Sequence, residues 1–316
     1  MTPQIRTTDD TTEYLFHNEN GDAQFSAYNL YPGIDFLYGS VHMDECLFEL
    51  PKPATVLEIG YCIEGRLEQK TDEGFCYLVP GDISVSVCEN NIHKYHFPLH
   101  HYHGIAFVIH TEFAQKELAH FFDEFGINLV EKSERLRADG RLRIIRKSES
   151  LKYVFNEITK IPQKYRSELL RIKTLEFLFC FSKLNIDDEL SLYYPISEMQ
   201  TILAKKAAEF LRQNPMSFYS VTELADTFHV SQTHLQNAFK GVYGVTIYAY
   251  MRIQRIHKAA SLLVHTNDPI IAVAVECGYS NPSKFAEAFK EIMGETPSDY
   301  RRTHQSYHES DGIGSI

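Results

Sequence analysis

Residues 235–252 are LQNAFKGVYGVTIYAYMR, and residues 285–302 are FAEAFKEIMGETPSDYRR. At an offset of 50 residues the two stretches share the pattern F-K-x3-G-x-T-x3-Y. Superposing 221–252 on 271–302 also pairs apolar positions, namely Val221 with Ile271, Leu224 with Ala274, Ala225 with Val275 and Leu235 with Phe285. A pattern that recurs at a fixed spacing predicts two copies of one structural unit.

The first copy predicts two short helices joined by a tight turn. Ser220 precedes the first apolar run and Glu223 follows three residues later, which is a capping box. Ser231 caps the second helix. The inward side of that helix is formed by Leu235, Ala238, Phe239 and Val242.

The second copy predicts the same layout. Its first helix is expected over 271–277, Gly278 supplies the turn, and either Ser280 or Asn281 caps the second helix, with Pro282 in its first turn. Helix, tight turn and helix is the arrangement that places a recognition helix in the major groove of DNA.

One long helix is predicted between the copies, from Tyr248 to His265. It has a single apolar stripe formed by Ile253, Ile256, Ala260 and Leu263. About 18 residues at ~1.5 Å each give a rod of roughly 27 Å. Such a rod can hold two recognition helices about one DNA turn, ~34 Å, apart. A helical solenoid is the alternative, but solenoids need three or more copies and this chain has two.

The run from Ser220 to Tyr300 resembles the C-terminal DNA-binding domain of the AraC/XylS family of bacterial regulators. The resemblance rests on SQTHLQNAFK (231–240), on RIQRIHKAASLLVHTNDPIIAVAVECGYSNPSKFAEAFK (252–290) and on MGETPSDYR (293–301). It implies seven helices in two helix-turn-helix subdomains that bind one face of an asymmetric DNA site. It also implies contact with RNA polymerase.

Polar side chains on the outward side of each second helix are the candidates for reading bases. In the first copy they are Thr233, Gln236 and Asn237, which suit A·T pairs. In the second they are Ser283, Lys284 and Glu287, where Lys can donate to guanine and Glu can accept from cytosine. AraC/XylS members often carry a base at the last of these positions, so Glu287 is a departure. An equal alternative is a solvated Glu287 that pairs with Lys284.

Phosphate contacts are expected from helix N-terminal amides and from basic side chains of the repeat. The candidates are Ser231, Lys240, Arg252, Ser280, Lys290, Arg301 and Arg302. A structural role is the alternative for Arg252 and Arg302, because they occupy equivalent places beside Tyr250 and Tyr300.

Residues 1–111 predict a β-rich domain. Short β-branched and aromatic runs, such as VLEIGYCIEG (56–65), alternate there with Gly and Pro turns. The run G-x5-P-G-D (74–82) resembles part of a cupin motif, and EIGYCIEGRLEQ (58–69) resembles AraC-type sensor domains. The resemblance implies a cupin-like barrel with a pocket for a small effector, lined by Glu58, Tyr61, Arg66 and Tyr77.

Residues 112–184 predict a helical extension whose last helix, near 164–184, is apolar on two sides. One stripe contains Tyr165, Leu169, Ile172, Leu175 and Phe179, and the other contains Leu170, Phe177, Phe181 and Leu184. Such a helix must be covered on both sides. We expect one side to pack on the β domain and the other on a second subunit, with the DNA-binding domain as the alternative. Residues 185–197 predict a linker, 198–304 the DNA-binding domain and 305–316 a disordered tail.

Five histidines cluster within eleven residues, at His93, His96, His100, His101 and His103. The H-x-H pair could chelate a divalent metal. The first-motif histidines of metal cupins are absent from 56–68, however, and solvated or hydrogen-bonded histidines explain the cluster as well. No metal and no cofactor is therefore expected.

The net charge of -11 belongs to the front of the chain. Residues 1–196 carry 20 Lys and Arg against 30 Asp and Glu, whereas residues 197–304 carry 11 against 10. Phosphate attraction must therefore come from local patches. The six cysteines have no CxxC pair and are expected to be buried thiols. No apolar run reaches the ~20 residues of a membrane span, which predicts a cytoplasmic protein without a membrane partner.

Together these patterns predict an α+β multidomain protein with a cupin-like sensor and an all-α double helix-turn-helix domain. The expected function is a homodimeric, sequence-specific transcription regulator, not an enzyme, that responds to a small effector; whether it is an activator or a repressor stays open. One alternative is a cupin-type metal-dependent enzyme or metal sensor with an attached helix-turn-helix domain. A methyl-transferring DNA repair protein is another, but no reactive Cys with a neighbouring His or Arg motif is present.

Overall fold

The computed structural model describes residues 3–8, 11–18, 21–49, 56–71, 74–88, 92–139, 142–146, 148–185, 195–214 and 219–310. The chain divides into two compact units, Met1–Glu198 and Met199–Ile316. Among the helices in these ranges, none combines the length and the apolar character that a membrane span requires.

The N-terminal unit is built on antiparallel strands in two sheets. The strands are β1 (Gln4–Thr7), β2 (Thr11–Asn18), β3 (Gly21–Tyr31), β4 (Ile34–His42), β5 (Glu45–Glu49), β6 (Val56–Gly65), β7 (Leu67–Thr71), β8 (Gly74–Leu78), β9 (Ile83–Cys88), β10 (Ile92–His96), β11 (Tyr102–Ile109) and β12 (Arg143–Ile145). The larger sheet has the order β1-β2-β3-β4-β11-β6-β9-β12 and the smaller one β5-β10-β7-β8. Neither sheet closes on itself through the described strands, so this unit is mostly β but is not a closed barrel in its strand pairing.

The helices of the N-terminal unit are α1 (Thr111–Glu117), α2 (Ala119–Phe125), α3 (Leu129–Asp139), α4 (Glu149–Thr159) and α5 (Arg166–Lys183). One side of α5 is buried, because Phe177 and Phe181 are fully enclosed. On the other side Ile172 is 62% exposed and Phe179 is 39% exposed. The outer apolar stripe of α5 is therefore only partly covered, because Leu169 packs against the core and Phe179 meets the Phe125 ring edge-on at 5.8 Å.

Two apolar cores lie on opposite faces of the larger sheet. Successive side chains of a strand point to opposite faces, and along β6 Leu57 belongs to the core beneath the helices while its neighbour Glu58 faces the space between the two sheets. In the first core, the ring of Phe107 stacks on that of Phe177 with 4.2 Å between centroids. The second core joins side chains of both sheets, such as Val41 and Cys76.

In its described residues the C-terminal unit has seven helices. They are α6 (Glu198–Gln213), α7 (Val221–Thr227), α8 (Gln232–Tyr243), α9 (Ile247–His265), α10 (Ile270–Glu276), α11 (Pro282–Met293) and α12 (Pro297–Ser310). The long helix α9 confirms the predicted connection between the copies. The backbone of α12 is helical to Ser310, which corrects the expectation of disorder from 305 onward. Residues 311–316 of that tail, and 186–194 of the expected linker, lie outside the described residues.

The repeat in sequence is a repeat in structure. Residues 231–240 and 281–290 have the same order of buried and exposed side chains, position by position. The ring of Phe239 meets Tyr250 edge-on at 5.3 Å, and Phe289 meets Tyr300 edge-on at 5.4 Å. The shared phenylalanines and tyrosines therefore build the same aromatic contact in both copies.

The shared G-x-T of the pattern ends one helix and begins the next. Gly244 and Gly294 follow α8 and α11 with φ of 75° and 81°, a left-handed conformation that glycine adopts without strain. Two residues later, the Thr246 hydroxyl accepts from the backbone N–H of Ala249, and Thr296 accepts from Asp299 in the same way. In both copies, the spacing of Gly and Thr therefore follows from ending one helix and capping the next.

The first helices of the two copies are offset by 49 residues rather than 50, which corrects the predicted apolar pairing. Leu224 and Ala225 are buried in α7, whereas the buried pair in α10 is Val273 and Ala274. Val275, paired with Ala225 in the sequence alignment, is 61% exposed.

A helix-ending turn of the same kind follows both first helices. His229, with φ of 54°, and Gly278, with φ of 82°, occupy its left-handed position. The next residue donates its N–H back to the carbonyls of Ala225 and Ala274, at 3.0 and 2.9 Å. Ser280 is the extra residue that restores the offset of 50, and the second helix-turn-helix therefore has the longer turn.

Candidate nucleic-acid interface

The exposed side of α8 carries all three base-reading candidates of the first copy. Thr233, Gln236 and Asn237 are exposed, whereas Leu235 and Phe239 are fully buried on the opposite side. Ser231 caps the helix by accepting from the His234 N–H at 3.2 Å. The helix is thus fixed by its apolar side and its cap, while its polar side is open to a partner.

The exposed side of α11 presents the equivalent positions Ser283, Lys284 and Glu287. Its cap is Asn281, whose side-chain oxygen accepts from the N–H groups of Ser283 and Lys284 at 2.9 and 3.2 Å. Ser280 lies one residue before the cap, so it does not cap α11, and its phosphate contact stays a prediction. Ser231 does occupy a cap position, because its copy lacks the extra residue.

A groove of about 380 Å³ lies beside α11 in the C-terminal unit. It is lined by Tyr219, Tyr248, Met251, Arg252, Arg255, Gly278, Tyr279, Ser280, Asn281, Lys284, Glu287 and Ala288. The sequence analysis missed Tyr248, which is 75% exposed in the first turn of α9. The sequence did contain a signal for Tyr248, because it is a large aromatic residue that closely follows the helix cap Thr246 but is not part of the apolar stripe of α9.

The basic side chains expected to bind phosphate fall into two groups. Lys240, Lys290 and Arg302 are exposed, with Arg302 donating to Asp299 at 2.8 Å. Arg301 instead donates to the backbone carbonyls of Leu263 and Asp268, at 3.2 and 2.7 Å. Because both carbonyls lie at or just beyond the end of α9, Arg301 joins α12 to that end. These bonds give Arg301 a structural role, and its contact with phosphate stays a prediction.

Arg252 forms a two-pronged ion pair with Glu291. Its guanidinium nitrogens lie 3.3 and 2.5 Å from the two carboxylate oxygens, which connects α9 to α11. The hydrogen bond to Glu291 raises the pKa of Arg252 further above its usual value. Arg252 therefore has a protein partner in the free state, and the Glu291 carboxylate would compete with a phosphate for its guanidinium.

Glu58 lines a small cavity between the two sheets of the N-terminal unit. The cavity volume is about 60 Å³, enough for a few water molecules. The Tyr95 hydroxyl donates to the Glu58 carboxylate at 3.3 Å, and the Cys88 thiol lies 3.8 Å from it. Burial, and then the charge of Glu58, raise the pKa of Tyr95 well above its usual value.

The other three predicted pocket residues lie elsewhere. Tyr61, three positions from Glu58 on β6, faces α4, where its ring stacks on Phe155 at 4.8 Å and its hydroxyl donates to Asn156. The Tyr77 hydroxyl donates to Glu68 at 2.8 Å, and the guanidinium of Arg66 lies over the Tyr77 ring. Since Cys76 and Leu78 belong to the core between the sheets, Tyr77 points to the outer face of the smaller sheet. The four residues do not share one pocket.

The histidine-rich segment is also divided. His101 and His103 lie close to His42, which is distant in sequence. His96 lies 3.9 Å from Glu68 instead, and the side chain of His93 lies outside the described residues. Burial, and then the neighbouring imidazoles, lower the pKa of His103.

The six cysteines are free thiols. Burial raises the pKa of Cys46, Cys62 and Cys88 to about 12 and also raises the pKa of Cys180 and Cys277. Because the thiolate is the reactive form, these side chains are poor nucleophiles at neutral pH.

A family model described as a helix-turn-helix domain matches residues 224–303. This range begins in α7 and ends in α12, so it contains nearly all of both copies of the repeat. The match covers α8, α11 and the long helix between them.

Three curated relatives align with about a third of the chain or less. The bifunctional transcriptional activator/DNA repair enzyme AdaA of Bacillus subtilis is 32% identical over 94 residues, which are 30% of this chain and 44% of that protein. The xylose operon regulatory protein of Escherichia coli is 30% identical over 96 residues, which are 30% of this chain and 24% of that protein. The transcriptional regulator Rob of Salmonella typhimurium is 36% identical over 86 residues, which are 27% of this chain and 30% of that protein. The chain thus spans less than half the length of each of these relatives.

Two helix pairs joined by one long helix, each with a capped second helix whose polar side is exposed, define a protein with a helix-turn-helix domain. Within that class, the chain carries a domain of the AraC type at its C-terminal end.

Proposed function

We propose that this protein is a sequence-specific transcription regulator whose helices α8 and α11 enter adjacent major grooves of one DNA duplex. The observation that carries the proposal is the matching exposure of 231–240 and 281–290, which presents polar side chains at the same positions of two equivalent helices. Helix α9 has 19 residues and is about 28 Å long at ~1.5 Å per residue. That length is close to the ~34 Å between successive major grooves on one DNA face.

The two recognition helices differ in the bases they would select. Gln236 and Asn237 of α8 suit bidentate bonds to adenine, and Thr233 suits a thymine methyl group. On α11, Lys284 suits guanine and Glu287 suits the cytosine amine. Lys240, Lys290 and Arg302 would bind the flanking phosphates. The expected site is therefore asymmetric, with an A·T-rich half and a half that contains G·C pairs.

Selection of bound fragments from random DNA, followed by binding measurements with variants, tests this function. Asn237→Ala is expected to weaken specific binding by ~1–3 kcal/mol and to relax the preference at one position of the A·T half. Gln213→Ala is the matched control, because Gln213 is an exposed amide at the end of α6, outside both recognition helices. Equal discrimination by wild type and Asn237→Ala would contradict the role of α8 in base reading.

The N-terminal unit is proposed to be a cupin-like sensor of a small effector. Support comes from the largely apolar cavity between the sheets, where the Glu58 carboxylate accepts a hydrogen bond from the Tyr95 hydroxyl. Because the cavity holds only about 60 Å³, an effector larger than a few water molecules requires the sheets to separate. Binding would therefore shift the unit between two conformations, which is what a sensor needs.

The outer side of α5 is proposed to form a homodimer interface. Ile172, Phe179 and Tyr165 are exposed there, and a second subunit would cover them. Sedimentation of the full chain tests this: Ile172→Glu is expected to give monomers, and Lys160→Glu, at the exposed residue that follows α4, is the control. Contact with RNA polymerase and a cytoplasmic location complete the proposal.

A regulator is favoured over an enzyme. A cupin-type enzyme would require metal ligands in the cavity between the sheets, but the described histidines that meet lie on the other face of the larger sheet. The high thiol pKa values argue against a methyl-accepting cysteine.

A further inference from the structure

Three histidines from distant parts of the sequence meet on the larger sheet. His42 ends β4, His101 precedes β11, and His103 is the second residue of β11. The potential ligand nitrogens of the three rings all lie within 4.8 Å of one another. We name this group, His42, His101 and His103, the histidine triad.

Strand pairing determines the position of the triad. In the antiparallel pair of β4 and β11, Val41 lies opposite Tyr102. Both side chains belong to the core between the sheets, so the adjacent His42 and His103 point to the opposite face. The triad is therefore separate from the cavity that contains Glu58.

A β-bulge brings a carboxylate to the same place. Gly104 pairs with Cys62, but the preceding residue of β11, His103, pairs with Glu64, so β6 has one extra residue, Ile63. Bulges of this kind redirect the side chains that follow them. The redirected Glu64 carboxylate lies 3.5 Å from Nε2 of His101.

The backbone and a hydroxyl support this arrangement. Gly65 has φ of +81°, and a Cβ there would lie 2.1 Å from the carbonyl oxygen of His101. Only glycine therefore allows the end of β6 to approach His101 so closely. The Ser40 hydroxyl lies 3.4 Å from Nε2 of His103 and can orient that ring.

Three imidazoles and a carboxylate are ligands that suit zinc and other late first-row divalent ions. Nitrogen ligands ~2.1 Å from a tetrahedral ion lie about 3.4 Å apart. The rings must therefore close from within 4.8 Å by at most about 1.4 Å. His42 is exposed at the end of its strand and Glu64 is 64% exposed, so both can rotate to do this.

We propose that the histidine triad, with Glu64 as the fourth ligand, binds one divalent transition-metal ion of the zinc type. The ion would join β4, β6 and β11 on the face of the larger sheet that points away from the smaller sheet. This site is independent of DNA binding and of the proposed effector cavity.

Titration of chelator-treated full-length protein with Zn²⁺ alone, without DNA, tests the proposal. The expected result is one tight equivalent per chain, a higher unfolding temperature with Zn²⁺ but not with Mg²⁺, and an X-ray absorption spectrum dominated by imidazole nitrogen. His42→Ala and His103→Ala are each expected to lower the affinity at least tenfold, because each removes one ligand. Glu64→Gln is expected to weaken binding while the imidazole signature remains.

His120→Ala is the matched control, since His120 is an exposed histidine on α2 away from the triad. Circular dichroism of each variant confirms that the fold is intact. Should His42→Ala fold and still bind Zn²⁺ as tightly as wild type, or should His120→Ala lose the tight equivalent, the assignment is wrong. Absence of any tight equivalent in wild type overturns it as well, and DNA binding measured on the same samples shows that the C-terminal unit is intact.

Discussion

The ion pair between Arg252 and Glu291 gives a prediction that separates a structural arginine from a phosphate ligand. Arg252 is 36% exposed and Glu291 is 61% exposed, so solvent screens the pair. Exposed pairs contribute only ~0.2–1 kcal/mol to stability. Glu291→Gln is therefore expected to lower the free energy of unfolding by no more than about 1 kcal/mol.

The same change should strengthen DNA binding. In the wild type, Glu291 competes with a phosphate for the guanidinium of Arg252, whereas Glu291→Gln removes that competition and one negative charge from α11. A pair worth up to about 1 kcal/mol corresponds to an increase of up to about fivefold in affinity. Arg252→Ala should reduce the slope of log K against log salt concentration by ~0.9, the effect of one phosphate contact.

Fluorescence anisotropy with labelled DNA over a range of salt concentrations measures both effects. Glu209→Gln is the matched control, because Glu209 pairs with Arg212 on α6 at similar exposure, 50% and 35%. It should change stability similarly and leave DNA affinity unchanged. The reasoning is refuted if Glu291→Gln leaves affinity unaltered and Arg252→Ala leaves the salt slope unaltered, since Arg252 would then be purely structural.

Three further predictions concern the turns, the pH dependence and the thiols. The backbone of His229 is left-handed, so His229→Gly should raise the free energy of unfolding of the C-terminal unit by roughly 0.5–1 kcal/mol. Gly278→Ala should lower it by about 1 kcal/mol, because the backbone of Gly278 is left-handed too. Urea unfolding measures both changes, and opposite signs would contradict the reasoning. Burial raises the pKa of Tyr95 well above its usual value, so protonated Tyr95 stabilises the fold at pH values below its unfolded-state pKa of about 10, and this stability is lost as the pH rises further. Tyr95→Phe should reduce the loss of stability between pH 9 and 11. An unchanged dependence of stability on pH would count against this reasoning. The Cys88 thiol, with a pKa of about 12, should resist iodoacetamide at pH 8 in the folded protein, and rapid labelling identified by mass spectrometry would show that it is reactive.

The sequence was most informative where local chemistry determines the structure. The G-x-T pattern predicts a helix end and a helix start because Gly244 and Thr246 satisfy backbone groups within a few residues. The paired Phe and Tyr positions predicted a repeated core for the same reason. The predicted alignment of the first helices was wrong because Ser280 lengthens the second turn. The offset of 50 residues holds for the second helices, α8 and α11, but the first helices, α7 and α10, lie before the extra residue and are offset by 49.

The sites of the N-terminal unit depend on long-range pairing, which a local pattern does not contain. The alternation of side chains along a strand was enough to separate Glu58 from Tyr61, and the predicted pocket ignored it. His42 could not be joined to His101 and His103 without the register of β4 against β11. Arg301 was assigned to phosphate by its charge, but its carbonyl partners at the end of α9 became visible only in the folded unit.

Chemical footprinting of the selected DNA site tests the central claim most directly. The account predicts two protected major-groove segments about 10 base pairs apart on one face of the duplex. Asn237→Ala should remove protection from one segment and Lys284→Ala from the other. A single protected segment, lost equally in both variants, would show that the two helices do not occupy successive grooves.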